Sequence, residues 1–168
     1  MRVVVHYRHS EDRARALCET LESRRPGSVL LVAADLASPE APQEIIDVIR
    51  SRWGRLDVLV NNAAVFYPTP LERSTVSDWD EMSGTNLRAP YFLSQAALPL
   101  LRAQGGSIIN LVDVYAERPR PAYAVYCATK AGVVMLTKTI ALDGAPYGVR
   151  ANCVCPGFTE TPMLETFL

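Results

Sequence analysis

Short β-branched runs alternate with amphipathic stretches of helical period along the whole chain, and that alternation constrains the fold more than any other feature. Arg2 to Tyr7 reads as a strand. Glu11 to Arg24 sets Ala14, Leu17, Cys18 and Leu21 on one helical face, with Ser10 as the N-cap. Ser28 to Ala33 is the next strand. Ser38 as N-cap, Pro39 at the first helical position and Glu40 open a helix that runs to about Arg52. Leu56 to Val60 is a strand, and Ser77 to Leu101 holds one or two helices with Trp79, Met82, Leu87, Phe92 and Leu93 turned inward. Ser107 to Val112 is a continuously apolar strand, Tyr123 to Leu142 a long helix, and Val149 to Val154 a closing strand. Repeated βα units with apolar strands predict an α/β fold, a doubly wound parallel sheet with helices on both faces.

Length and charge narrow the class further. A chain of 168 residues, 49% of them hydrophobic, suits one domain over residues 1–168 and excludes intrinsic disorder. With 17 basic against 18 acidic side chains, a broad electrostatic grip on nucleic acid or an anionic membrane is not expected. No run approaches the length of a bilayer span, and Met1-Arg2 leads into an apolar stretch too short for a signal peptide. Cys18, Cys127, Cys153 and Cys155 lack CxxC spacing and paired histidines, so no metal site is expected and a reducing cytoplasm is the expected compartment.

In open α/β sheets the chemistry lies beyond the carboxyl ends of the strands. Here those ends are Tyr7-Arg8-His9-Ser10, Ala34-Asp35-Leu36, Asn61-Asn62-Ala63-Ala64, Asp113-Val114-Tyr115 and Cys155-Pro156-Gly157. Tyr126 and Lys130 add a pair on one helical face. A tyrosine with its ordinary pKa of about 10 is a poor acid or base at neutral pH. A lysine ammonium one turn away is expected to lower that pKa and make proton transfer practicable.

Asp35, the Asn61-Asn62-Ala63-Ala64 run, Asn86, the Tyr126/Lys130 pair and the Pro156-Gly157 turn stand in an order and at spacings that resemble the short-chain dehydrogenase/reductase family. The resemblance extends over essentially all 168 residues. It implies a Rossmann-like sheet and hydride transfer with a nicotinamide cofactor. Tyr126 would be the proton donor, Lys130 would hold the nicotinamide ribose, and Asn86 would hold a water of the proton relay. Asp35 and Leu36 would lie against the adenine, and Asn62 and Ala63 against the adenosine ribose. Pro156, Gly157 and Thr159 would border the nicotinamide and its phosphates. The helices within Ser77 to Leu101 and Tyr123 to Leu142 resemble the pair through which the family commonly forms homo-tetramers, the state expected of the complete enzyme.

One departure points to a subfamily. The family usually carries a serine thirteen positions before the tyrosine, and Asp113 stands there. A serine hydroxyl can donate to a substrate carbonyl, whereas an ionised carboxylate only accepts. Asp113 suits a substrate with N–H groups, such as a pterin. Together with Val65 to Pro70 and the run His6 to Ser10 it looks like the pteridine reductases, with Phe66 stacking on the flat pterin. Ala64 and Val65 depart from that subfamily, which carries hydroxyl residues there, and Pro156 to Met163 is closer to the general family. The expected activity is NADPH-dependent pteridine reduction; the alternatives are reduction of carbonyl substrates such as 3-oxoacyl thioesters or small ketones, and a non-catalytic fragment. Arg8, His9 and Ser10, at a strand end and a helix start, form an anion site suited to the 2′-phosphate of NADPH.

Family members open with a strand, a glycine-rich turn and a helix, but the first glycine here is Gly27. The sequence therefore reads as an incomplete doubly wound sheet that lacks the first βα unit and the C-terminal end, and the chain by itself is expected neither to bind NADPH tightly nor to turn over.

Overall fold

A computed structural model describes residues 1–157 and Thr159. Five strands and five α-helices alternate as expected: β1 (Val3–Tyr7), α1 (Glu11–Arg24), β2 (Val29–Ala33), α2 (Ala41–Trp53), β3 (Val58–Asn61), α3 (Val76–Ser83), α4 (Ala89–Arg102), β4 (Ser107–Leu111), α5 (Ala124–Gly144) and β5 (Arg150–Val154). Every strand pairing is parallel. Parallel strands need crossovers of a dozen residues or more, which the intervening helices supply.

The strands do not form one sheet. β1 pairs with β2, and β3, β4 and β5 form a separate three-stranded sheet in that order. Register is continuous across the larger sheet, with Asn61 opposite Asn110 and Leu111 opposite Val154. The core lies on one face of it, where Ile45, Ile46 and Ile49 of α2 meet Leu93, Ala97 and Leu101 of α4 and Ile108 of β4. Ile140 of α5 closes the same cluster.

Helices on both faces were expected of the sheet, and the larger sheet departs from this. Burial alternates along its strands, and Val58 and Val60 stay 49% and 51% exposed on a face that no described helix covers. Their apolar character reads as a strand buried on both sides, but residues with period two see two different environments.

Three local expectations also change. Ser10 occupies the N-cap of α1 without a side-chain cap bond, and Leu17 is exposed because α1 lies over two strands alone. The second helix begins at Ala41 with Pro42 in its first turn, while Ser38 instead donates its hydroxyl to Glu40 at 2.6 Å. Gly54 ends that helix in the left-handed region (φ 62°), where a side chain would be strained. Trp79 and Phe92, expected inside, are 51% and 41% exposed, whereas Met82 and Leu93 are buried. Helix α3 is set by a Thr75/Asp78 capping box in which each side chain meets the other's backbone N–H.

Candidate active site

The C-terminal ends of β3 and β4 and the first turns of α5 bring four of the expected residues into one neighbourhood. Tyr126 is buried in the first turn of α5, and its hydroxyl donates to Asp113 Oδ2 at 3.0 Å. The other carboxylate oxygen, Oδ1, accepts from the Tyr115 backbone N–H at 3.0 Å and caps the short 3₁₀ turn Val114–Ala116. Asp113 thus both shapes the loop after β4 and accepts the hydrogen bond of the tyrosine hydroxyl.

Lys130, one turn further along α5, is buried and donates Nζ to the Leu111 carbonyl at 2.9 Å. Its ammonium lies 5.6 Å from the centre of the Tyr126 ring. Burial pushes the Lys130 pKa below its ordinary value. The expected lowering of the Tyr126 pKa by Lys130 does not occur. Burial, then the negative charge of Asp113, holds the phenol well above its ordinary range. Tyr126 is therefore kept in its proton-carrying form.

Asn86 sits within a π-helical turn, Gly84–Arg88, between α3 and α4. Its Oδ1 accepts from Val65 N–H at 2.8 Å, and its Nδ2 donates to the Val65 carbonyl at 2.9 Å. The side chain thus clasps the loop after β3. The second turn of α5 offers Thr129, whose hydroxyl lies 3.5 Å from Asn86 Nδ2 and donates to the Tyr126 carbonyl at 2.7 Å. Beneath these groups a buried polar chain crosses the sheet. Asn61 Nδ2 donates to Asn110 Oδ1 and Asn110 Nδ2 to Thr137 Oγ1, both at 2.7 Å.

Phe66 packs its ring on Tyr123 (4.8 Å between centroids, near-parallel) and edge-on to Tyr126 at 4.6 Å. The ring expected to stack on a flat pterin thus has one face against Tyr123. Arg120 lies 4.7 Å over the Tyr123 ring and bonds the Tyr115 hydroxyl at 3.2 Å. Thr69 N–H meets the carbonyl of Ala122, a non-glycine residue in the left-handed region (φ 65°), and pins this loop at 2.6 Å.

The residues expected to meet the adenosine end lie apart from that neighbourhood. Arg8 Nε is 3.4 Å from Asp35 Oδ2, and its NH1 is 3.8 Å from Glu81 Oε1. His9 and Ser10 are exposed, Leu36 is buried in the core, and Asp35 Oδ1 accepts from Ala37 N–H. Asn62 is exposed and Ala63 half-buried just past β3; Pro156, Gly157 and Thr159, expected instead at the nicotinamide and its phosphates, are exposed past β5. Sequence reasoning missed Glu81 and Tyr67. The Tyr67 hydroxyl donates to Glu81 at 3.0 Å and is pushed up to about 12 by burial and that carboxylate. No local spacing links these residues to Arg8, so only the packing of α3 reveals them.

Comparison with known proteins places this geometry. The family model for short chain dehydrogenases matches residues 1–167. The 3-oxoacyl-acyl-carrier-protein reductase of Staphylococcus epidermidis is 37% identical over 162 residues, 96% of this chain and 66% of that protein. The 3beta-hydroxysteroid dehydrogenase 1 of Eggerthella lenta is 36% identical over 97% of this chain and 63% of its own length. The D-beta-hydroxybutyrate dehydrogenase of Rhizobium meliloti is 33% identical, with 92% and 60% covered. A double mutant of a Serratia marcescens short-chain dehydrogenase/reductase superposes with a TM-score of 0.90 at 36% identity, over 96% of this chain and 66% of that one. The chain thus spans just under two thirds of the relatives it matches. A match along residues 1–167, together with the parallel α/β fold and the buried Tyr126/Lys130 pair, makes this chain a member of the short-chain dehydrogenase family.

Proposed function

We propose that this chain forms the proton-transfer part of an NADPH-dependent cytoplasmic reductase of small carbonyl substrates such as 3-oxoacyl thioesters or short ketones. The observation that carries the reading is the Tyr126 phenol, buried at the end of β4 and held in its protonated form. Three relatives named for oxo or hydroxy substrates support a carbonyl over a pterin.

The nicotinamide end of the cofactor fits the residues present: Lys130 and the Tyr126 hydroxyl face the end of β4, and Pro156-Gly157 follows the neighbouring strand. The phosphate end fits less well, since no glycine-rich turn opens a helix among the described residues. A bound nicotinamide supplies the hydride. Tyr126 gives its proton to the oxygen that gains negative charge, releasing its bond to Asp113. Lys130, now on the Leu111 carbonyl, would hold the ribose hydroxyls of the cofactor. Arg8 would meet the 2′-phosphate of NADPH by exchanging its contacts with Asp35 and Glu81 for it. Exposed Tyr91, Phe92 and Met135 on α4 and α5 suit a homo-tetramer built through that face.

Asp113 supports a second reading, pterin reduction, because its carboxylate accepts where a serine would donate. Substitution separates the two. With a carbonyl substrate, Asp113→Ser raises turnover, since the Tyr126 proton is no longer held by the carboxylate and a new donor faces the oxygen. With a dihydropterin, the same change lowers turnover on the order of 10²-fold. NADPH consumption with an acetoacetyl thioester and with a dihydropterin, in both proteins, tests the reading. Turnover of the pterin alone overturns it.

A further inference from the structure

Two proline-containing loops meet where α5 begins. On the first, Pro68 and Pro70 have no N–H, so Thr69 carries the one backbone donor of the three residues, and Pro70 confines it to extended backbone. On the second, Tyr123 N–H returns to the Arg120 carbonyl at 3.2 Å and closes a turn with Pro121 and Ala122 at its centre. Ala122, with φ 65°, takes the position that such a turn ordinarily gives to glycine. A residue with a Cβ stays in that region only where its surroundings hold it there. The hold here is Thr69, whose N–H donates to the Ala122 carbonyl at 2.6 Å and which pairs with Tyr123 in an isolated parallel bridge.

The Thr69 hydroxyl makes a second tie. Tyr123 stands at the N-cap of α5, where a short side-chain oxygen usually accepts from the second or third helical N–H, and a phenol does not reach back that far. The oxygen comes instead from Thr69, whose Oγ1 accepts from the N–H of Val125, the second residue of α5, at 3.3 Å. Thr69 is 1% exposed, so water does not stand in for that oxygen. The residue after Val125 is Tyr126. On the same loop as Thr69, Phe66 packs its ring on Tyr123 and edge-on to Tyr126. The other end of the loop is clasped by Asn86 through both backbone groups of Val65. Residues 65–69 are thus tied at both ends, and one tie is the cap of the helix that carries the proton donor.

Resting on Tyr126 as the proton donor of the proposed reaction, we infer that Thr69 is a positioning residue for it. Thr69 caps α5 from outside the helix and holds the strained turn at Ala122, and so fixes the phenol relative to Asp113 and to the loop that carries Phe66. It acts through Val125 and Ala122, whose backbone groups it binds.

The test follows the Tyr126 ring by NMR in the full chain, with tyrosine isotope-labelled at the ring carbon that bears the hydroxyl; it needs neither NADPH nor substrate. The Tyr126 signal is identified by its loss in Tyr126→Phe. Asp113, Lys130, Tyr115 and Cys127 face this phenol and are kept in every variant. Thr69→Val keeps the backbone N–H and the side-chain volume but removes the oxygen. Exchange of the Val125 amide is expected to speed up about tenfold, the factor of one lost hydrogen bond. The Tyr126 signal is expected to start titrating about one pH unit lower, because a loosened first turn admits water to a phenol whose pKa burial holds up. Thr69→Ser, which keeps the hydroxyl, restores both readings. Gly54→Ala strains the end of α2 instead, and lowers the unfolding temperature without moving Tyr126. Ala122→Gly relieves the turn and raises the unfolding temperature, so Thr69→Val introduced with it folds, and shifts Tyr126 in the same direction. With NADPH and an acetoacetyl thioester, Thr69→Val lowers kcat on the order of tenfold and leaves the KM for NADPH unchanged. A Tyr126 signal that titrates alike with and without the Thr69 hydroxyl overturns this role, as does an equal shift in Gly54→Ala. If the unmutated protein reduces no carbonyl, the proposed reaction falls while the NMR comparison still decides what Thr69 does.

Discussion

Around Tyr126 the molecule is closed. Met82 and Asn110 are fully buried, Asn86 and Thr129 nearly so, and Asn61 Nδ2, Asn86, Asn110 and Thr137 are tied across elements by hydrogen bonds. Along β1 every residue is partly open to solvent, and the acceptors that hold Arg8 are exposed carboxylates. The residues proposed for proton transfer therefore sit in a cooperative core, and those proposed for cofactor choice sit on a soft two-stranded lobe. Binding energy at the first site depends on preorganised geometry. At the second it depends on charge that water and salt can screen.

The largest expected difference is catalytic. Tyr126→Phe in the holoenzyme lowers turnover on the order of 10²-fold or more, the size of a lost acid–base group. The thermal midpoint shifts little, because the ring and its contacts with Phe66 remain. The carboxylate partner sets the pH range. Tyr126 has its pKa raised by burial first and by Asp113 second, so Asp113→Ser lowers it. In the oxidative direction, where the phenolate is the working form, the alkaline rise of the rate moves to lower pH in Asp113→Ser. Linkage gives the matching sign for stability: a raised pKa favours the folded phenol, and that stabilisation is present below the ordinary tyrosine pKa of about 10 and is lost above it. A pH–rate profile that does not move in Asp113→Ser separates Asp113 from Tyr126 and breaks the comparison at its centre.

Stability should divide the same way. Asn110→Leu leaves Asn61 Nδ2 with only its 3.5 Å contact to Ser94 and takes one donor from Thr137 in a closed interior, and costs about 2–3 kcal/mol. Val5→Ala on β1 removes two methyl groups from a half-buried strand and costs about 1 kcal/mol. Urea unfolding of both variants checks the ratio. Equal costs would mean that β1 is as firmly cored as β4.

The sequence carried the alternation of elements because each strand and helix has its own period, and a period is a local property. It carried the Tyr126/Lys130 pair for the same reason, since four residues make one helical turn. What it concealed depends on distant packing. Val58 and Val60 look like a strand buried on both faces, yet one face of their sheet is uncovered by any described helix. Trp79 and Phe92 satisfy a helical stripe, but the stripe is wider than the surface that α3 and α4 have to bury. The direction of the Tyr126 shift was illegible because Asp113 reaches it across the end of a strand while Lys130 turns to the Leu111 carbonyl. Glu81 joins Arg8 through the docking of α3, which no spacing announces.

On the soft lobe, Arg8→Asp lowers the preference for NADPH over NADH on the order of 10-fold, about 1.4 kcal/mol. Its present partners, Asp35 and Glu81, then face a third carboxylate. Because all these groups are exposed, the unmutated preference weakens as salt rises. Competition binding at low and high salt measures both effects, and a salt-independent preference would place cofactor selection in a buried contact elsewhere.

Helix α3 bridges the two regions, and the smallest expected effect is located there. It carries Glu81, which meets Arg8, and Met82, which packs with Tyr126. Its first turn is fixed by the Thr75 hydroxyl, which accepts from Asp78 N–H at 3.1 Å, while Asp78 in return accepts from Thr75 N–H at 2.7 Å. Thr75→Ala removes the first of these bonds and keeps the second. It is expected to cost about 1 kcal/mol and to lower the thermal midpoint by roughly 2–4 °C. Thr75→Ser, which keeps the hydroxyl, restores most of that loss. If α3 couples the lobes, amide exchange in Thr75→Ala speeds up along β1 and around Tyr126 together; exchange that rises within α3 alone would show that the two regions answer to separate cores.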